Sequence, residues 1–417
     1  MSSRPARSRG SKGSSPIRRR GTVAGIAVVV GSFSFLLGLG ALFLIPVGED
    51  DLEYRLFLIN LALGTAIVNV GLGGVLVYQA ASALGGAGSG AFRMRRTWLL
   101  LPLFPGGIVL GQWIVNDPGR MPWLFPLANL AIVSVPSLVI AGSVAATYVR
   151  RNPLSWPISW REWTSGFIYG AVGATTIAGI INTLYLVFMG AFLIDRFGYG
   201  DAFSIEDGLR TLPREWGLFF DLSVLSLMAP LNEEFWKGML VAFFFYRKGS
   251  AARCFVWGVL AGAGFNLLET FENSLSVVSP QALSQQTLGN QWWLFAVARA
   301  GTGSIHGLAS GLSALGFYGL FRHKPIYALG YPAGMLVHGS WNFLTYALAG
   351  DQILSGAGPD STALDILAIA GLAALFAGCV TLLWVLPRRL RDGRPAPIYM
   401  ALGMLPATQP VLDPVAT

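Results

Sequence analysis

Residues 230–237 read Pro-Leu-Asn-Glu-Glu-Phe-Trp-Lys, and this polar stretch lies inside a long apolar run, 216–246. A charge at the middle of a bilayer costs about 2.5–3.5 kcal/mol even on the lenient insertion scale. Two carboxylates and a lysine in such a run therefore need polar partners on neighbouring helices. The stretch predicts a membrane-embedded helical bundle whose charged side chains face one another. Pro230 predicts a tilt, a kink or a break in this over-long span.

The composition of the whole chain agrees with lipid as its solvent. The 417 residues are 53% hydrophobic and 12% charged, with a mean hydropathy of +0.57. A soluble domain carries about 25% charged residues, and crossing a ~30 Å hydrocarbon core takes about 20 apolar residues. We predict an all-α, polytopic transmembrane helical bundle of ten spans, at 22–46, 56–83, 97–115, 123–148, 165–194, 216–246, 252–272, 293–321, 325–349 and 362–386.

The positions of the basic residues predict the orientation of the chain. With alternating sides and a cytoplasmic N-terminus, 22 of the 29 Lys and Arg fall inside and five outside. This bias predicts that both termini are cytoplasmic. The net charge of +8 then reflects topology, which argues against nucleic-acid binding. Cys254 and Cys379 predict no disulfide framework and no metal site.

The predicted spans divide the chain into segments with different tasks. Residues 1–21 are expected to be a basic, disordered cytoplasmic tail, and 387–417 a second cytoplasmic tail. Spans one to five, within 22–194, contain no ionisable residue in their interiors. Spans six to nine, within 216–349, contain nine such groups: Asp221, Glu233, Glu234, Lys237, Glu269, Glu272, Arg299, His306 and His338. Function is therefore expected in spans six to nine, and span ten, 362–386, closes the bundle.

In span six, the spacing of the charged residues predicts how they pair. Glu233 and Lys237 are four apart and share a helix face, while Glu234 points about 100° away. We therefore expect Lys237 to pair with Glu233, and Glu234 to meet the histidines. Adjacent carboxylates in a low-dielectric site do not both ionise easily, so one is a candidate general base, and Glu234 is favoured over Glu233 for this role. The alternative is a purely structural ion pair.

Spans seven to nine supply further polar stripes. Asn266, Glu269 and Asn273 lie on one face of span seven, and Glu269 is the deeper carboxylate. Arg299, Thr302 and His306 share a face of span eight, beside a ridge of Gly303, Gly307 and Gly311 that permits close helix packing. Span nine places His338 and Asn342 one turn apart. A lone membrane histidine is as readily a packing residue as a catalyst, but two near a Glu pair favour a shared site.

Taken in order, these residues resemble those of the PrsW family of intramembrane proteases, which is related to CAAX prenyl proteases and bacteriocin-processing membrane enzymes. The resemblance rests on Glu233-Glu234-x-x-Lys237, on Phe265-x-x-x-Glu269, on Arg299 followed by His306, and on His338-x-x-x-Asn342. It covers about residues 216–346, and spans one to five are not accounted for by it. PrsW-like sequences often carry Asp where this chain has Asn342, which cannot act as a base and is given an auxiliary role.

The resemblance implies an intramembrane endopeptidase that activates water with glutamate and histidine. The residues implied as catalytic are Glu233, Glu234, Glu269, His306 and His338, supported by Lys237, Asn266, Arg299 and Asn342. A metal-free glutamate mechanism without cofactor is favoured; the alternative is zinc held by Glu269, His306 and His338.

The implied surroundings are a lipid bilayer and a membrane-anchored protein or peptide substrate, such as an anti-sigma factor in signalling. The absence of a targeting signal favours a bacterial plasma membrane. Two other functions stay open. One is a catalytically silent scaffold of the same fold. The other is a transporter or channel, which the lack of an internal repeat disfavours.

Overall fold

The computed structural model consists almost entirely of long helices. It describes residues 16–45, 51–94, 96–119, 121–151, 158–198, 208–209, 211–244, 250–280, 283, 292–349 and 362–390. Most of each predicted tail, and parts of the loops after spans five and seven, lie outside these described residues.

Ten long helices run through the described residues, and each coincides with a predicted span. They are α1 Pro16–Ala41, α2 Leu52–Leu84, α3 Thr97–Val115, α4 Phe125–Arg151, α5 Trp160–Phe197, α6 214–244, α7 Ala251–Val277, α8 Trp292–Phe321, α9 Gly330–Ala349 and α10 Thr362–Arg389. The described part contains no β-strand beyond an isolated bridge between Ala91 and Ser159, which confirms the all-α fold. The prediction of a disordered tail to residue 21 is wrong in one detail, because α1 begins at Pro16.

Seven of these helices are long and apolar enough to cross a membrane by length and composition alone: α1 to α5, α7 and α10. The other three, α6, α8 and α9, carry most of the charged and histidine side chains named above, which lowers their hydropathy. The chain is therefore a multi-pass membrane protein.

The helix α7 lies at the centre of the bundle, packed against α4, α5, α6 and α8. Glycines allow this close packing. A Cβ atom added at Gly258 would lie 2.1 Å from the carbonyl oxygen of Ser310 in α8. One added at Gly264 would lie 1.8 Å from the carbonyl oxygen of Phe167 in α5. Any side chain at these two positions would push the neighbouring backbones apart.

A buried ion pair joins α5 to α7 near the start of both helices. Arg253 donates to Glu162 through Nε at 2.7 Å and Nη2 at 2.6 Å, and Trp257 Nε1 donates to the same carboxylate at 2.6 Å. α5 begins at Trp160 rather than 165, which places Glu162 within the helix, where it is buried.

Pro230 does not break α6. Proline has no N–H to donate to the carbonyl four residues earlier, here that of Ser226, and its ring would clash with that carbonyl in a regular α-helix. The helix widens into a π turn at Ser223–Met228 and continues as Ala229–Phe244. A similar turn interrupts α5 at Tyr169–Ala174. Such turns expose backbone carbonyls and re-aim the side chains that follow them.

Because α7 and α8 lie so close together, adding one methyl group at their contact should lower thermal stability more than adding one at an open position. Gly258→Ala should lower thermal stability, because overpacking a tight contact costs about 1–3 kcal/mol. The matched control is Gly71→Ala in α2, where nothing lies within 4 Å of the added Cβ. Thermal unfolding followed by fluorescence-detected size exclusion should show a lower Tm for Gly258→Ala only. Equal Tm values would contradict the described packing.

Candidate active site

Lys237 of α6 lies at the centre of a buried polar cluster and is 0% exposed. Its ammonium contacts Glu233 Oε2 at 3.2 Å, Glu234 Oε1 at 2.8 Å and His306 Nδ1 at 2.9 Å. An ammonium has three protons, and these three acceptors use all of them. The same nitrogen stands 3.7 Å from the centre of the Phe265 ring, a favourable cation–π position.

Glu234 is enclosed and fully engaged, since it is 0% exposed. Its Oε1 accepts from Lys237 and lies 3.0 Å from His338 Nδ1, while its Oε2 accepts from Ser310 Oγ at 2.9 Å. A carboxylate only accepts, so we assign the His338 proton to Nδ1. The expectation that Lys237 pairs with Glu233 alone is wrong, because one turn of α6 lets its flexible side chain reach both carboxylates.

Glu233 lies at the edge of the cluster and retains 7% exposure. Asn182 of α5 donates to its Oε1 at 3.2 Å, and His338 Nε2 stands 3.8 Å from its Oε2. Asn232 fixes Asn182 by donating to Asn182 Oδ1 at 2.8 Å and to the Ala178 carbonyl at 2.9 Å. Glu233 is thus oriented from two sides and has fewer hydrogen bonds than Glu234.

The two histidines and Glu269 complete the cluster. The rings of His306 and His338 meet edge to face with centroids 4.6 Å apart. His306 Nε2 lies 2.8 Å from Glu269 Oε2, within ion-pair distance. Arg299 donates to Glu269 Oε2 at 2.7 Å and to Thr270 Oγ1 at 3.0 Å. The structure therefore brings all five predicted catalytic residues together.

Two predicted supporting residues point elsewhere. Asn266 donates to Ser137 Oγ of α4 at 2.9 Å, so it joins α7 to α4. Asn342 donates to the Leu225 carbonyl at 2.8 Å, in the π turn of α6. Both amides hold helices together beside the cluster.

The sequence analysis did not predict that Asn182, Ser310 and Phe265 belong to this cluster. Asn182 is the lone amide side chain of α5, and an amide within an apolar span indicates a hydrogen-bond partner. Ser310 follows His306 by one helical turn, and that spacing was its signal. Phe265 was noted as part of a sequence pattern, but its contact with a lysine from another helix has no signal in the sequence.

The cluster also offers a donor set for a metal. Glu233, His306 and His338 each provide a ligand atom within 4.8 Å of the others, and Glu with two His is a set used by catalytic zinc. The carboxylate in this group is Glu233, whereas the sequence analysis assigned Glu269. Lys237, however, already contacts Glu233 and His306, two of the three side chains. A divalent cation does not fit among these residues while that ammonium occupies the centre.

The described helices and the buried cluster of Glu, His and Lys side chains define a multi-pass helical membrane protein with a polar site inside its bundle. The family model described as "PrsW family intramembrane metalloprotease" matches residues 158–378. The chain belongs to this family, and the resemblance drawn from its residues is confirmed. The match extends beyond 216–346 to include α5, and with it Asn182. No curated protein and no solved structure matches the chain.

The central ammonium predicts a charge-dependent stability. Lys237→Met should destabilise the protein by about 3–5 kcal/mol, because it removes the cation shared by two buried carboxylates. Adding Glu233→Gln and Glu234→Gln to that variant should restore most of the loss, since no uncompensated charge then remains. Lys324→Met, in an exposed loop, is the matched control. Urea unfolding in detergent measures the four proteins; a triple variant no more stable than Lys237→Met would contradict the central role of this charge.

Proposed function

We propose that this protein is an intramembrane endopeptidase of glutamic type, in which Glu233 activates the attacking water. The observation that carries the proposal is the asymmetry of the glutamate pair. Both carboxylates share the Lys237 ammonium, but Glu234 is enclosed by Lys237, His338 and Ser310, whereas the buried Glu233 retains 7% exposure and has one hydrogen bond fewer. A general base must reach water within hydrogen-bond distance, which favours Glu233. This assignment reverses the sequence-based preference for Glu234.

In the proposed reaction, Glu233 takes a proton from water while the water oxygen bonds to the scissile carbonyl carbon. The negative charge that develops on the carbonyl oxygen is stabilised by the positive charge of Lys237. Collapse of this intermediate breaks the C–N bond, and Glu233 returns the proton to the leaving amine nitrogen. Glu234 positions the ring of His338 through Nδ1, so that Nε2 faces Glu233. His306 accepts from the Lys237 ammonium through Nδ1, and Glu269 contacts the other nitrogen of the same ring.

The substrate site that we propose is a cleft between α6 and α9. It has a volume of about 480 Å³ and is lined mainly by apolar residues, among them Leu227, Met335 and Leu336. Its wall includes Gly339, next to His338 in α9, and Ser226, which lies in the π turn that precedes Glu233 in α6. Such a cleft suits a membrane-anchored protein or peptide. Cleavage of an anti-sigma factor in signalling is one role consistent with this substrate class.

The proposal includes the topology. All ten helices cross the membrane, with both termini in the cytoplasm, and the membrane is a bacterial plasma membrane. The support is the bias of 22 inside against five outside Lys and Arg, together with the coincidence of each predicted span with a helix. A single miscounted span would invert the side of every later loop.

The topology predicts the behaviour of reporter fusions. Alkaline phosphatase fused after residue 20 or after residue 395 should be inactive, because both points are cytoplasmic in the ten-span arrangement. Fusion after residue 285, between α7 and α8, is the control and should be active. Phosphatase activity at either terminus would show that a span has been miscounted.

The assignment of the base predicts unequal effects of two isosteric changes. Glu233→Gln should lower kcat on a membrane-tethered reporter in proteoliposomes by about 10²–10⁴-fold, the usual contribution of a general base. Glu234→Gln should retain more activity while lowering Tm, because its carboxylate organises the cluster. Glu272→Gln, an exposed carboxylate of α7, is the control.

The outcomes separate the alternatives. Full activity of Glu233→Gln with loss of activity in Glu234→Gln would return the role of base to Glu234. Full activity of both variants would place the hydrolysis elsewhere and leave this cluster with a structural role only.

A further inference from the structure

On the side of α4 away from α5, an apolar cleft runs between α3, α4, α8 and α10. Its volume is about 360 Å³, and its walls are mostly aliphatic, formed by residues such as Leu101, Val139, Ile140, Ala300, Val380 and Leu383. Three wall residues carry hydroxyls, and each hydroxyl already has a contact: Ser143 with Thr97, Thr147 with Arg150, and Ser304 with the Gly301 carbonyl. The walls therefore favour a ligand that is apolar along its whole length.

The length of this α4/α10 cleft matches one leaflet of a bilayer. Its α4 wall runs from Val135 to Thr147. At 1.5 Å per residue this is about 18 Å, on the order of half of a ~30 Å hydrocarbon core. A single acyl chain of one leaflet has this length.

One end of the cleft carries positive charge from three segments of the chain. Arg150 donates to the hydroxyl of Thr147, a wall residue, at 3.5 Å. The Arg388 guanidinium lies 3.5 Å above the ring of Trp384, another wall residue. Arg96 precedes α3 at the same end and is exposed. None of the described wall residues is acidic.

The geometry points to a binding site for an anionic phospholipid, with one acyl chain in the α4/α10 cleft and the phosphate on Arg150 and Arg388. Guanidinium groups bind phosphate through charge-assisted hydrogen bonds, often two at a time. The same end would repel the cationic group of a zwitterionic lipid. Anionic and zwitterionic phospholipids can carry the same acyl chain, so the positive charge at this end is what favours the anionic ones.

The deep end of the cleft touches the helices that carry the polar cluster. A Cβ atom added at Gly303 of α8 would lie 3.3 Å from Pro136, and one at Gly307 would lie 3.0 Å from Ile140. Both glycines flank His306, and both contacts are with cleft residues of α4. A lipid chain in the cleft therefore supports the packing of α4 on α8 next to His306. Its binding should raise the thermal stability of the whole bundle.

The test uses the full chain in nanodiscs of phosphatidylglycerol or phosphatidylcholine with the same acyl chains. Native mass spectrometry after release counts retained lipid, and thermal unfolding gives Tm. The wild-type protein should retain phosphatidylglycerol in preference and have the higher Tm with it. Arg150→Gln combined with Arg388→Gln should weaken phosphatidylglycerol retention by at least about tenfold, because each charge-assisted contact is worth on the order of that factor.

Matched variants test separately the charge at the end of the cleft and the space inside it. Arg322→Gln, beyond the far end of α8 from Ala300, should leave lipid retention unchanged. Val139→Phe fills the cleft and should reduce retention of both lipids, whereas Val109→Phe on the 70% exposed position of α3 should not. This second pair decides the question even where the arginine variant folds poorly.

Three results would overturn the proposal. The first is equal retention of the two lipids by the wild-type protein. The second is an equal loss of phosphatidylglycerol in Arg322→Gln, which would indicate a general surface charge effect. The third is stabilisation by inorganic phosphate alone to the same extent, which would mean that the arginines bind a free anion and that the acyl chain has no part.

Discussion

A lysine ammonium in the middle of a membrane-embedded bundle must have an acceptor for every proton, because neither lipid nor bulk water supplies one. Lys237 meets this requirement with two carboxylates of its own helix and one histidine of α8. The ring of Phe265 from α7 covers a further face of the charge. Side chains of α6, α7 and α8 thus meet at one nitrogen atom, and these helices must pack tightly enough to exclude water from it.

The glycines of α7 and the π turn of α6 serve this tight packing. Gly258 and Gly262 let α7 approach the carbonyl oxygens of Ser310 and His306, so that α8 carries its histidine to Lys237. The π turn before Pro230 accommodates a residue that cannot donate, and Asn342 of α9 caps one of its carbonyls. The pair of carboxylates becomes unequal as a result: one is enclosed and organises His338, and the other faces the edge of the cluster.

Much of this arrangement follows from the sequence. The ten helices, the polar half of the bundle and the convergence of Glu233, Glu234, Glu269, His306 and His338 were predicted from apolar run length and from the cost of isolated charges. The partners of Lys237 were predicted only in part, because helical spacing gives a face but does not say how far a flexible side chain bends. Asn182 was missed because the predicted span five, 165–194, has no charge to draw attention to it. The contact between Lys237 and Phe265 depends on two helices meeting, which no local pattern encodes.

The position of Lys237 also bears on the chemistry of the site. Glu233, His306 and His338 form a donor set that zinc uses elsewhere, yet two of these side chains already bind the lysine ammonium. In this account the ammonium provides the positive charge at the centre of the cluster. The most direct test is the metal content of the purified full-length protein, measured by inductively coupled plasma mass spectrometry alongside cleavage of a membrane-tethered reporter with and without 1,10-phenanthroline. The account predicts substoichiometric metal and unchanged cleavage in the chelator. One zinc per chain, lost in Glu233→Gln or His338→Ala, with cleavage abolished by the chelator and restored by added zinc, would contradict it.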